Sequence, residues 1–183
     1  MIPSSRKQFT EHLAKKILQH HSCKYSNLKC FDKPDLFDEA SSLGIEVTTD
    51  FSTKEWERIV RQGYPDTDCM STIMEAKIVP YSTINTKNAI DKKLCKTYDG
   101  VTNLELFIFI ADIQIFDEWI PELIKYWLDK QEHSPTKYER LFLYSAAAEI
   151  LWECERNTQN VVREPFPDHF SQDTLRAFAS ENK

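Results

Sequence analysis

The chain has 183 residues, 41% hydrophobic and 28% charged, which suits one globular domain with a substantial core and predicts a single domain over residues 1–183. No apolar run reaches the roughly 18 residues a bilayer crossing needs, and the 3 glycines stand alone, so a membrane span and a glycine-rich phosphate loop are both excluded. The net charge of -6 falls mainly in the second half, which argues against a uniformly basic nucleic-acid coat but leaves room for a phosphate-binding surface in the first.

The first seven residues lack an apolar signal core, so a cytoplasmic protein is expected. Residues 9–21 read as a helix with Phe9, Leu13 and Ile17 on one stripe. Glu11 borders that stripe and faces either solvent or a cleft shared with acids further along. His20 and His21 beside Cys23 read as a helix end rather than a metal group, because neighbouring histidines on a helix diverge. The 5 cysteines are odd in number and form no Cys-x-x-Cys pair, which argues against a disulfide framework and a structural zinc.

Residues 34–37 and 44–49 read as two antiparallel strands joined by a turn. Period-2 alternation puts Ile45 and Val47 on one face and Glu46 and Thr48 on the other. Glu46 is then a carboxylate among β-branched neighbours, costly to bury unless it is paired or holds a cation. If Asp35 faces the same space, the two acids suit a hard divalent ion. Ser52 and Glu55 make a capping box for a helix over 54–61, which Gly63 stops. An insertion around 62–86 follows, with a short strand at 77–79.

A second helix begins at Thr86 or Asn88 and runs to Tyr98, with Ile90, Leu94 and Tyr98 as its apolar stripe. Lys93 lies beside Leu94 and borders the core-facing cleft, whereas Lys92 points to the far side. Residues 104–111 are almost wholly apolar, as in a central strand covered on both faces. A helix over 118–130 is built on Trp119, Leu123, Tyr126 and Trp127, with Pro121 in its first turn. A strand at 138–145, a late hairpin from 149–154 and 161–163, and a terminal helix or frayed end at 171–183 complete the chain. This order describes an α/β sandwich around a mixed sheet, not a doubly wound nucleotide fold.

Pro34-Asp35 followed by Gly44-Ile45-Glu46-Val47-Thr48 resembles the motif of the PD-(D/E)xK nuclease superfamily, over roughly residues 8–112. The resemblance implies a restriction endonuclease-like three-layer sandwich with a central mixed β-sheet. It implies a Mg²⁺-dependent endonuclease, with Mn²⁺ as a substitute, that hydrolyses phosphodiester bonds in DNA. Asp35, Glu46 and the Val47 carbonyl would be the metal ligands, and Glu11 a further carboxylate. Thr48 stands where the motif has lysine and cannot supply a charge. Members of the superfamily can take that lysine from a neighbouring helix, so Lys93 is the candidate catalytic lysine and Lys92 the second choice. The alternative is a catalytically inactive nuclease-fold protein acting as a binding or structural module. A homodimer is compatible with either.

Overall fold

The structure is a computed structural model that describes residues 6–50, 83–98, 100–110, 119–145 and 150–165. In chain order these form α1 (Arg6–His21), a 3-10 turn (Cys23–Tyr25), β1 (Lys29–Cys30), β2 (Leu36–Asp38), β3 (Leu43–Thr49), α2 (Ile84–Leu94), β4 (Asn103–Ile110), α3 (Ile120–Glu132), β5 (Arg140–Ser145), β6 (Ile150–Glu155) and β7 (Val161–Pro165). The strands make one sheet in the order β1-β2-β3-β4-β5-β6-β7. Pairing is antiparallel from β1 to β3, parallel from β3 to β5 and antiparallel again to β7, so the sheet is mixed.

Alternation along the parallel strands divides the core. Ile45, Val47, Phe107, Phe109, Phe142 and Tyr144 meet Leu13, Ala14, Ile17 and Leu18 of α1. Leu104, Leu106, Ile108, Leu141 and Leu143 meet Ala89, Ile90 and Leu94 of α2 and Leu123 and Trp127 of α3. Among the described residues, one helix therefore covers one face of the sheet, and two cover the other. β4 lies fourth of seven and is buried on both faces, as its near-continuous apolar run predicts. The hairpin expected after residue 149 is β6 with β7. Among the described residues, no helix is long and apolar enough to cross a membrane.

The expected helix at 54–61, the strand at 77–79, the terminal helix and most of the insertion fall outside the described residues, as does the side chain of Phe9. α3 runs on to Glu132, past the end expected at 130, and α2 differs from its prediction at both ends. α2 starts at Ile84, ahead of Thr86, and stops at Leu94, before Tyr98. Tertiary contacts explain the early stop. Hydroxyl groups ahead of β5 take up carbonyls at its end: Tyr138 donates to Lys93 O at 3.1 Å, Ser134 donates to Leu94 O at 2.5 Å, and Thr136 donates to Lys96 O. Lys93 O also accepts from Lys96 N–H at 3.2 Å, so these hydroxyls add to the capping of carbonyls at the helix end.

Candidate functional site

Asp35 and Glu46 are brought together by strand register. β2 pairs Leu36 with Ile45, and one step outward along that antiparallel ladder Asp35 stands opposite Glu46. Leu36 and Ile45 pack on the α1 side, so the next positions turn towards α2. A close approach fixes Asp35 further. A Cβ at Gly44 would lie 2.6 Å from Pro34 Cγ and 2.8 Å from Val101 Cγ1, so only glycine lets Pro34 rest against β3. The Asp35 carbonyl accepts from Phe31 N–H at 2.9 Å, and its Oδ2 accepts from Val47 N–H at 2.8 Å. Gly44→Ala should therefore cost about 1–3 kcal/mol in a urea melt through overpacking, and should displace Asp35. A melt matching the wild type would refute that role.

Both carboxylates are deeply buried, Asp35 at 4% exposure and Glu46 at 1%, and such groups need a compensating cation. Lys93 supplies one. Its Nζ lies 2.5 Å from Glu46 Oε2 and 3.3 Å from Asp35 Oδ2. Lys93 is buried while Lys92 is exposed, as helical angles predict. A second ammonium, that of Lys96, lies 3.3 Å from the same Glu46 oxygen. α2 is also tied down at its start, where Thr86 Oγ1 donates to Asp50 Oδ2 at 2.8 Å. The helix that presents Lys93 is thus anchored near its start to Asp50, just past β3, and near its end to Glu46 within β3.

Two tyrosines close the site. The Tyr138 hydroxyl lies 3.5 Å from that of Tyr98. Burial pushes the Tyr98 hydroxyl far above the ordinary tyrosine value of 10.0, helped by Tyr138 and the Glu46 charge. Burial does the same to Tyr138, with the charges of Glu46 and Asp35 adding to it. Folding thus favours the neutral phenols. Their stabilisation is complete below 10.0 and is lost as pH rises above it, because the unfolded chain ionises first. Denaturant melts should weaken above pH 10.0, and tyrosinate absorbance from these residues should appear only with loss of near-UV dichroism. Full tyrosine ionisation in a chain that keeps its dichroism would contradict this.

The remaining sequence candidates occupy distinct places. Val47 reaches the site through its N–H, while its side chain packs on the α1 side. Thr48 is half-buried and shares the alternation of Glu46. Glu11 is buried on α1, and its charge is felt at Cys30, whose thiol is raised mainly by burial. Sequence reasoning missed Lys96, Tyr98 and Tyr138 as site residues. Cys154, buried and pushed up to about 11 mainly by desolvation, has no character of a nucleophile.

Asp35 and Glu46 are the residues that could hold a divalent ion, and the Lys93 ammonium lies between their oxygens. One ammonium touches both acids, so their oxygens converge on a cation-sized point. Mg²⁺ is commonly held by one or two carboxylates, with waters and substrate phosphates completing its shell. No larger cluster adds to them, since no group of three or more His, Cys, Asp or Glu among the described residues is placed to hold a metal. Comparison of the chain with family models, curated proteins and solved structures gives no match in any of the three.

Proposed function

We propose that this protein is a divergent, restriction endonuclease-like PD-(D/E)xK nuclease that hydrolyses phosphodiester bonds in DNA with Mg²⁺ or Mn²⁺, as a cytoplasmic enzyme. The observation that carries the reading is the meeting of Asp35, Glu46 and Lys93 on one point, from two adjacent strands and the next helix. The element order α1, β1, β2, β3, α2, β4 supports it, since the superfamily's core follows that order.

Asp35 and Glu46 would hold the ion, and Val47 N–H keeps the Asp35 carboxylate in place. When bound, Mg²⁺ lowers the pKa of water and offsets charge on the phosphoryl group. Lys93 supplies the positive charge that Thr48 lacks. Its ammonium holds both carboxylates in register and adds to the field that the transition state experiences.

One observation favours a second reading. The Lys93 ammonium already compensates the two buried acids, as in a structural ion cluster of a nuclease-fold binding module. Incubation of plasmid and single-stranded DNA with Mg²⁺ or Mn²⁺, beside Glu46→Ala, separates the two. The nuclease reading expects metal-dependent nicking that disappears in the variant. Cleavage equal in both proteins, or none in the wild type, overturns it, and DNA retention without cleavage favours the binding module.

A further inference from the structure

We propose that Lys96 is the residue that meets the scissile phosphodiester from solvent, while Lys93 acts as the positioning residue beneath it. This rests on the nuclease reading above and divides the role of the missing motif lysine between two side chains. Both ammonium groups address the same oxygen, Glu46 Oε2, at 2.5 Å for Lys93 and 3.3 Å for Lys96. Their surroundings differ. The Lys93 side chain is 11% exposed and also touches Asp35, so it is enclosed by the acids it neutralises. The Lys96 side chain is 46% exposed and reaches the same carboxylate from outside. A phosphate entering from solvent meets Lys96 first.

The backbone of Lys96 argues against a merely solvated lysine. Its N–H donates to Lys93 O at 3.2 Å, and its carbonyl accepts from the Thr136 hydroxyl. Its Cα is therefore held from both sides, and only the aliphatic stem is free to swing. Tyr98, two residues on, brings Lys33 to the same rim, with the Lys33 Nζ 5.8 Å from the ring centroid. Two lysines balance two carboxylates in the present arrangement. One oxygen cannot serve two ammonium groups and a divalent ion together. Lys96 is the more distant and more exposed partner, so it is the one free to leave Glu46 for an anionic substrate.

The test compares the full-length wild type with Lys96→Met, Lys96→Arg and Glu46→Ala. A fluorescent DNA duplex is bound with Ca²⁺ across a salt series, and cleavage is then started with Mg²⁺. Lys96→Met should melt close to the wild type, because Lys93 still touches both acids, and should keep its Mn²⁺ affinity. It should lose about 0.9 from the salt slope, the share of one phosphate contact, and roughly 10²-fold in cleavage rate, as for removal of one donor to developing charge. Lys96→Arg should recover the slope. Glu46-dependent cleavage with a Lys96→Met variant equal to wild type in slope and rate would overturn the assignment alone. So would a Lys96→Met loss accompanied by a lower melting temperature and weaker Mn²⁺ binding. Wild-type cleavage that is absent, or that survives in Glu46→Ala, would overturn the nuclease reading and this assignment with it.

Discussion

Lys93→Met should lower stability by about 3 kcal/mol and abolish DNA cleavage, and added Mg²⁺ should restore much of the stability but not the activity. The first effect follows from burial. Removing the ammonium leaves Asp35 and Glu46 as two like charges at 4% and 1% exposure. Breaking a buried pair from one side costs about 3–5 kcal/mol. Lys96 stays 3.3 Å from Glu46 and compensates part of it, which places the expectation at the lower end. The second effect separates a metal site from a structural cluster. A divalent ion present at about a hundred times its dissociation constant would return about 2.7 kcal/mol to the folded state. Thermal melts with and without Mg²⁺ check this. A variant that loses stability and gains no more from Mg²⁺ than from equal ionic strength would point to an ion cluster with no affinity for metal.

Glu105→Ala should cost a similar amount, about 3 kcal/mol, for a different reason and with no direct effect on the site. Glu105 is 1% exposed in β4 and faces α1, on the side of the sheet opposite Lys93. It accepts from Lys24 Nζ at 2.6 Å and Tyr25 Oη at 3.0 Å, and Arg140 Nε lies 3.5 Å away. Arg140 also joins Glu153 and Glu155, and His21 touches Glu153 and Glu164 at 2.9 Å each. Glu105 thus ties the 3-10 turn to β4, β5 and β6. Lys24 is 44% exposed and can return to water, but the Tyr25 hydroxyl would be left buried, at about 1–3 kcal/mol. The truncated side chain would add a cavity term. Glu105→Gln keeps a partner for Tyr25 and should cost about half as much. Urea melts of the two variants measure the difference. Equal melts for wild type and Glu105→Ala would show that the network is idle.

Glu105 also shows how far the sequence could be trusted. Its local pattern, one acid inside an apolar strand, is the one that drew attention to Glu46. Both are buried and both meet lysine. What separates them is the partner on the next strand. Asp35 stands beside Glu46 through hairpin register, which local spacing can show. The partners of Glu105 come from positions 24, 25 and 140, and no local rule joins these.

The choice of Lys93 over Lys92 was legible because both lie within a helix, where angle follows from position. Lys96 was not legible for the converse reason. A helix continued to Tyr98 makes it one more solvated charge, but α2 ends at Leu94 and Cys95 caps it. Beyond that point Lys96 is held by a 3-10-type bond to Lys93 O and by Thr136, and the second is a tertiary contact that helical periodicity does not encode. The central place of β4 was readable, because its near-continuous apolar run reflects burial on both faces.

The most direct measurement is Mn²⁺ binding, read from the EPR signal of the free ion, in the wild type, Asp35→Asn and Glu46→Gln. One site per wild-type chain is expected, weakened at least roughly tenfold in each variant, since loss of even an outer-shell partner does as much. Equal Mn²⁺ uptake by all three proteins would contradict a cation site shared by Asp35 and Glu46.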